Sequence, residues 1–486
     1  MQSFKTAGVL AAALVLAGCV SAPTLVQQSP LQALDVPAQW QGAAAGDGSA
    51  DAVSQGWWRS FGSAELDVLV ADAQQQSLDV AAAMARVQQA QASARYAGAE
   101  LMPALNASAQ AGHQGRLGGH ADTTGRNLSV GLAASYELDL WGRLQSQRDA
   151  AGASLRASSF DHDTVRLAVT AAVADAWLLN VGLRERGDIA QRNLQTAERL
   201  LALVQSKASL GAATALELAQ QRGLVAAQRR VLAALAQQQA DAQRSLALLL
   251  GQVQAPAIAQ STVLALQVPR IDQGQPIALV TRRPDIARAE ARLQAADADL
   301  EAARAAMLPR LTLTAELGAQ GRQLHRVLDN PLYSLAAGLA APIFDAGRLA
   351  ASRDLVAAQR GELLLAYRQS IVQAFSDVQS ALNAVSGVQQ QALAQEEELR
   401  QARKALALAE ARYRAGAETQ LVLLDTQRSL YQAQDLAVQL QQERLRASVA
   451  LYKALGGGWG QEQLQVRGDV APCPLDGCST RIEWVN

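Results

Sequence analysis

Two periodicities take turns along the chain, and each turn occurs twice. Residues 64–98 are rich in Ala and Gln and hold no Pro, which reads as a helix. Their counterpart is 283–306, where Pro284 sits in the first turn, a position that tolerates it. Strict alternation follows. Leu105, Ala107, Ala109 and Ala111 point one way and Asn106, Ser108 and Gln110 the other. Leu128, Val130, Leu132, Ala134, Tyr136 and Leu138 oppose Asn127, Ser129, Ser135 and Glu137. Further on, Leu311, Leu313, Ala315 and Leu317 oppose Thr312, Thr314 and Glu316. Tyr333, Leu335, Ala337, Leu339 and Ile343 oppose Ser334, Ala336 and Gly338. Period two marks half-buried strands, here about ten residues long, the scale of a membrane β-strand. The loops 113–126 and 321–331 carry Gly, His, Arg and Asp.

Each strand pair gives way to a long helical pattern. No Pro occurs from Gly142 to Ser209, and Val165, Val169, Ala172, Ala176, Leu179 and Leu183 step by four and three. Ile371, Phe375, Val378, Leu382 and Val385 do the same in the second half. These are coiled-coil-like stripes. A helix of 142–209 would span ~100 Å at 1.5 Å per residue, far more than an ordinary globular core uses. Gly211 and Gly416 mark turns, after which a second long helix returns.

The halves are copies. Asp79 and Pro103 recur 206 residues later as Asp285 and Pro309. Gly142, Gly211 and Gly251 recur 205 residues later as Gly347, Gly416 and Gly456. Register held to one residue across five markers indicates a duplicated unit. The organisation read from this is a first repeat over 64–251, with its hairpin in 101–139 and helices in 142–250. A linker over 252–282 precedes a second repeat over 283–456, with its hairpin in 309–344 and helices in 347–455. An N-terminal extended segment covers 19–63, and a tail with Gly, Pro and two Cys covers 457–486.

Composition narrows the function. Among 486 residues, Lys+Arg 43 against Asp+Glu 44 leaves a net charge of -1, without a basic tract, so electrostatically driven nucleic-acid binding is unsupported. Aromatics are 4%, few for an enzyme pocket, and no acid/base or nucleophile constellation or phosphate-binding G-x-x-x-x-G-K-[ST] loop occurs. The cysteines are Cys19, Cys473 and Cys478, with no His at zinc-like spacing, and His113, His120 and His325 fall in the loops read as external, where solvated side chains are the default. No metal site is expected. Lys5 and the apolar run Ala7–Val15 form a signal peptide over 1–18 that ends in Leu16-Ala17-Gly18-Cys19. This resembles a bacterial lipobox, which implies N-acyl and S-diacylglycerol chains on Cys19 as a membrane anchor, and Ser21 in place of Asp implies the outer membrane. No mature stretch offers about 18 unbroken apolar residues for a membrane helix. In an oxidising compartment a local Cys473–Cys478 disulfide is favoured over free thiols.

Four amphipathic strands cannot close a barrel, and an open edge cannot face lipid, because its N–H and C=O groups would go unsatisfied. Small membrane barrels begin at about eight strands, so the strands must be pooled between chains, with twelve from three copies. At this point Arg282-Arg283-Pro284-Asp285-Ile286 with Ala289-Glu290 and Leu308-Pro309-Arg310 resembles the TolC-type outer-membrane efflux family, in its OprM/NodT lipoprotein branch. Tyr136-Glu137-Leu138-Asp139-Leu140-Trp141-Gly142-Arg143, Phe344-Asp345-Ala346-Gly347-Arg348 and Arg412-Tyr413-Arg414-Ala415-Gly416 carry the same likeness. The resemblance implies an α+β membrane protein whose duplicated strand-hairpin/long-helix repeat makes a trimeric 12-stranded β-barrel continued by a periplasmic α-helical barrel. It makes 252–282 and 457–486 equatorial. It further implies the exit duct of a tripartite pump for drugs or other small molecules, working with a periplasmic adaptor and an inner-membrane transporter of RND type.

The family's periplasmic gate matches Leu421 and Asp425, one helical face at i and i+4. Tyr413 matches a tyrosine of the family's interhelical lock, whereas a lock arginine falls at Glu418, with reversed sign. The first repeat has Leu216 and Gln220 at the gate positions, which leaves the gate to the second. Gly211, Thr214, Gly416 and Thr419 are candidate adaptor contacts; plain turn chemistry is the other reading of the glycines. The rival functions are a passive trimeric porin, on which long helices would be wasted, and a structural envelope lipoprotein, which would not need alternating strands.

Overall fold

The computed structural model describes residues 37, 39–41, 53–118, 120 and 125–459. The signal peptide, Cys19, Cys473 and Cys478 lie outside these residues. In chain order the elements are α1 (Ala64–Gln76), α2 (Leu78–Ala99), β1 (Ala104–Gln114), β2 (Gly125–Leu138), α3 (Arg143–Ser209) and α4 (Ala215–Leu249). Then come α5 (Leu279–Arg282), α6 (Pro284–Ala305), β3 (Arg310–Gly321), β4 (Pro331–Ala340), α7 (Arg348–Arg414) and α8 (Gln420–Ala454). Short 3-10 turns occupy Trp57–Phe61, Pro276–Ala278 and Leu324–Asp329.

The duplication is metrical. Helices α3 and α7 each have 67 residues, and α4 and α8 each have 35. Helices α2 and α6 each have 22. The hairpins share register as well. Ala104 faces Ser135 as Arg310 faces Ala340, so the offsets of 206 and 205 residues carry one pairing onto the other.

The strands form one antiparallel sheet ordered β1-β2-β3-β4, so the repeats join through β2 and β3. Across this joint the alternation is complete. Val130, Leu132 and Tyr136 pair with Ala319, Leu317 and Leu313, which makes one apolar face. Ser129, Ser135 and Glu137 pair with Gln320, Thr314 and Thr312 on the other. The outer strands β1 and β4 are exposed along their whole length, each with an unpaired edge among the described residues.

Three expectations are corrected. Residues 64–98 are two helices, broken at Ser77, whose backbone is extended (φ -60, ψ 128). Ser77 is the counterpart of Arg283, which interrupts the second repeat in the same way (φ -110, ψ 123). His113 lies within β1, since pairing runs on to Gln114 opposite Gly125. The alternation through Ile343 overruns β4, which stops at Ala340 before Pro342, a residue with no N–H to give the ladder.

The breaks at Ser77 and Arg283 let one helix take over from another. At the end of α4, Gly251 (φ +69) packs so closely on the Gln76 carbonyl that a Cβ would strike it. At the end of α8, Gly456 (φ +93) meets the Arg282 carbonyl identically. Thus α4 abuts the start of α2, and α8 the start of α6. The second joint carries an ionic clasp. Arg283, almost buried, makes two hydrogen bonds to Asp285 (2.9 and 2.7 Å), two to Asp377 on α7 (both 3.0 Å) and one to the Ala454 carbonyl (3.2 Å). Burial alone would raise the Asp285 carboxyl, but the hydrogen bonds and charge of Arg283 outweigh it and hold its pKa below the ordinary value.

The main core gathers where the joints meet the middle of α3. Trp57, Phe61, Leu66, Val173, Trp177, Leu178, Leu246 and Leu445 are buried there, and Trp57 stacks on Tyr452 at 5.0 Å. Two carboxylates, the half-buried Glu65 and the buried Glu185, strap the linker to this core. Glu65 accepts from Trp177 Nε1 (2.9 Å) and the Ala259 N–H (2.5 Å), and Glu185 accepts from Thr262 Oγ1 (2.7 Å) and the Val263 N–H (2.8 Å). Among the described residues only α3 holds a window apolar enough to cross a membrane, and 56% of that window is buried inside the protein.

A joint that depends on glycine makes a specific prediction. Gly456→Ala adds a clash with the Arg282 carbonyl to the left-handed backbone cost of about 1–2 kcal/mol, whereas Gly416→Ala, with open space around it, incurs only the latter. Thermal unfolding followed by circular dichroism should show the larger loss for Gly456→Ala. Equal losses would mean that the joint yields freely.

Candidate functional site: the paired helix tips

The two helical returns use the same chemistry to turn. After α3, Gly211 at φ +73 brings its N–H to the Ala208 carbonyl, and the Ala212 N–H reaches the Lys207 carbonyl at 2.7 Å. After α7, Gly416, also at φ +73, repeats this with Tyr413, and the Ala417 N–H reaches the Arg412 carbonyl at 2.9 Å. Both are Schellman turns, in which the left-handed residue must be free of a Cβ penalty. All four candidate contact residues, Gly211, Thr214, Gly416 and Thr419, are exposed.

The tips then differ. Thr214 and Glu217 form a reciprocal capping box: the Thr214 N–H donates to Glu217 Oε2 (2.6 Å) and the Glu217 N–H donates to Thr214 Oγ1 (3.2 Å). Thr419 starts α8 with no such side-chain bond, because Val422 stands where the box needs Glu. Glu418 pairs with Arg412 (3.1 Å) within its own turn, so the reversed sign serves the local return.

Tyr413 is 5% exposed, packed with Leu200 of α3 and with Leu406, Leu423 and Leu430. Burial raises its phenol pKa, and the charge of Glu217 adds to this. Its ring carries the Lys207 ammonium 4.1 Å above the centroid, a cation–π contact between the two repeats. A buried amide makes a second link, with Gln420 Nε2 donating to the Glu217 carbonyl at 3.0 Å. Farther along, Arg186 of α3 grips Asp435 of α8 through two hydrogen bonds (2.6 and 3.1 Å). Sequence reading found Tyr413 but none of these partners.

Leu421 is 66% exposed and Asp425 is exposed beside it, while Leu423 and Leu424 of the same turn are buried. The two thus share a face turned away from the protomer's own core. Leu216 of the first repeat is equally exposed and Gln220 is half-buried. Among the described residues no His, Cys, Asp and Glu cluster has metal-binding geometry.

Comparison with known proteins places this architecture. The family described as outer membrane efflux protein matches residues 69–252 and 278–457, which correspond to the two repeats. The chain is similar to the pyoverdine export outer membrane protein OpmQ of Pseudomonas putida, 49% identical over 440 residues, covering 88% of this chain and 93% of the relative. It is also similar to OpmQ of Pseudomonas aeruginosa, 46% identical over 473 residues, covering 95% and 98% respectively. Among solved structures, the open state of the Neisseria gonorrhoeae MtrE outer membrane channel superposes with a TM-score of 0.80 at 28% identity, over 88% of this chain and 96% of that one.

Proposed function

Because the chain belongs to the outer membrane efflux protein family, and is an outer-membrane channel protein with the TolC-type fold rather than an enzyme, we propose that three copies form the exit duct of a tripartite pump. The observation that carries this reading is the sheet β1-β2-β3-β4 with both outer edges free, on a chain whose helices are 67 residues long. Free edges cannot face lipid. A porin would need the sheet but not the helices.

Pairing of β4 with β1 of the next copy follows from the duplication. Ala134 faces Ala315 at the joint between repeats. Offsets of 205 and 206 residues carry that pair to Leu339 and Ala109. Leu339→Cys with Ala109→Cys should therefore oxidise between chains, and denaturing gels should show bands up to three chains and none beyond. A ladder that passes three or stops at two would overturn the trimer.

In this duct the face bearing Leu421 and Asp425 turns to the axis and closes the periplasmic end with an apolar constriction and a carboxylate ring. The Lys207–Tyr413 and Gln420–Glu217 contacts hold the two tips of a protomer together. Leu421→Ala with Asp425→Ala should raise single-channel conductance in planar bilayers and Asp425→Ala alone should lower cation selectivity, with Val422→Ala unchanged. Wild-type conductance in an intact double mutant would move the gate elsewhere.

The exposed turns at Gly211, Thr214, Gly416 and Thr419 offer a docking rim for the adaptor, which links the duct to an inner-membrane transporter of RND type. Cys19 carries the lipid. Bulky substitution at the two glycines should abolish co-purification of the adaptor, and Cys19→Ala should abolish incorporation of labelled fatty acid. Persistence of either would displace the corresponding residue from its role. Similarity to proteins named for pyoverdine export makes pyoverdine the first cargo to assay, ahead of drugs.

A further inference from the structure

On α8, Leu421, Asp425, Arg428, Gln432 and Asp435 step by four and three, so they line one face. Directly along that face from the gate pair lies an open groove of about 270 Å³ between α3, α4 and α8. That is just below the roughly 300–1,000 Å³ of pockets for drug-sized ligands, room for a small aromatic ion. Its apolar wall is Leu224, Val231 and Leu235 of α4.

Its charge is lopsided. Arg186 and Asp435 neutralise each other, but Arg230 and Arg428 are exposed on the groove and neither forms an ion pair among the described residues. Its polar floor is unsatisfied. Tyr431 is 7% exposed, and its Oη has no hydrogen-bond partner. A buried hydroxyl without a partner calls for an explanation, and a ligand that accepts its proton supplies one. Burial above all, reinforced by Glu410 and opposed by Arg199, pushes the phenol pKa up to about 12, so the hydroxyl stays a donor at physiological pH.

We propose that this groove is a cargo subsite on the inner wall of the duct that takes an amphipathic organic anion, its apolar body on Leu224, Val231 and Leu235 and its sulfonate, carboxylate or phosphate held by Arg230, Arg428 and the Tyr431 hydroxyl. The position on the wall rests on the reading of the Leu421 and Asp425 face as facing the axis. The chemical class rests on the groove alone. Two guanidiniums select the anion, and the leucine and valine wall discriminates against small hydrated ions that cannot bury apolar surface.

The test is equilibrium binding of naphthalene-2-sulfonate to the full-length protein in lipid nanodiscs, with sodium sulfate and 2-naphthalenemethanol as competitors. Saturable binding at one site per chain is expected, with neither competitor displacing the probe at equal concentration. Arg230→Gln with Arg428→Gln should weaken binding about tenfold or more, the scale of losing charge-assisted hydrogen bonds, and the conservative Tyr431→Phe about threefold. Absence of saturable binding, unchanged affinity in both variants, or displacement by sulfate alone would overturn the subsite. Conductance of the same preparations separates the two readings. A channel that conducts but binds nothing removes only the subsite. A chain that binds the probe but never conducts removes the duct and leaves a groove on some other surface.

Discussion

A helix of 67 residues cannot be stabilised along its length by a partner half as long, and the two close-packed helix joints resolve this. Helices of 35 and 22 residues are set end to end, α4 onto α2 and α8 onto α6, so that each repeat has two struts of comparable length. The junction works only if the last turn of one helix can touch the backbone of the next. Gly251 on the Gln76 carbonyl and Gly456 on the Arg282 carbonyl are that contact. The break at Ser77, the Arg283 clasp and the linker strapped to Glu65 and Glu185 all serve to hold it. Most helical stability comes from packing of this kind rather than from local propensity.

The repeats share a scaffold and differ in what they hang on it. The clasp of Arg283, Asp285 and Asp377 has Ser77, Asp79 and Ala172 as its counterparts, so the first joint has no such ionic clasp. At the tips the first repeat has the capping box and the second has the buried tyrosine. At the proposed gate positions one has Leu216 and Gln220, the other Leu421 and Asp425. At those positions the second repeat carries a charge where the first has an amide. The few contacts that cross between tips, Lys207 over Tyr413 and Gln420 to Glu217, tie one tip to the other. A cation held over a ring and a single amide hydrogen bond are modest interactions that can be broken and remade without unfolding either helix.

Much of this fold was legible because its determinants are local. The run without Pro from Gly142 to Ser209 became α3 almost to the residue, and period two located all four strands. The break at Ser77 was missed because Leu78 stands where Pro284 announces the second break. Carrying Pro284 back by the 206-residue offset would have found it. The overrun of β4 came from reading Ile343 as the next apolar step across Pro342, a residue that ends the ladder whatever the alternation beyond it. The partners of Tyr413 and Asp435 could not be read at all. Lys207 and Arg186 lie on a different repeat, and no local pattern relates residues brought together by the packing of α3 against α7 and α8.

One helix, α8, therefore does several things at once, and its heptad explains how. One stripe presents Leu421, Asp425 and Arg428 to the outside, and a second buries Leu423 and Leu430 against α3 and α7. Between them runs a seam of amides at Gln420, Gln427, Gln434 and Gln441, seven residues apart. Gln420 spends its amide on a carbonyl of α4, and Gln441 on carbonyls of the linker, while Gln427 is fully buried with neither amide atom paired. An apolar side chain at Gln427 would avoid that desolvation cost. Polar groups at coiled-coil core positions fix register at the expense of stability, and a helix that presents the proposed gate pair on its other face gains from having only one register. Slippage by a single residue would turn Leu421 and Asp425 off their shared face by about 100° and bring Val422 and Thr426 into their place.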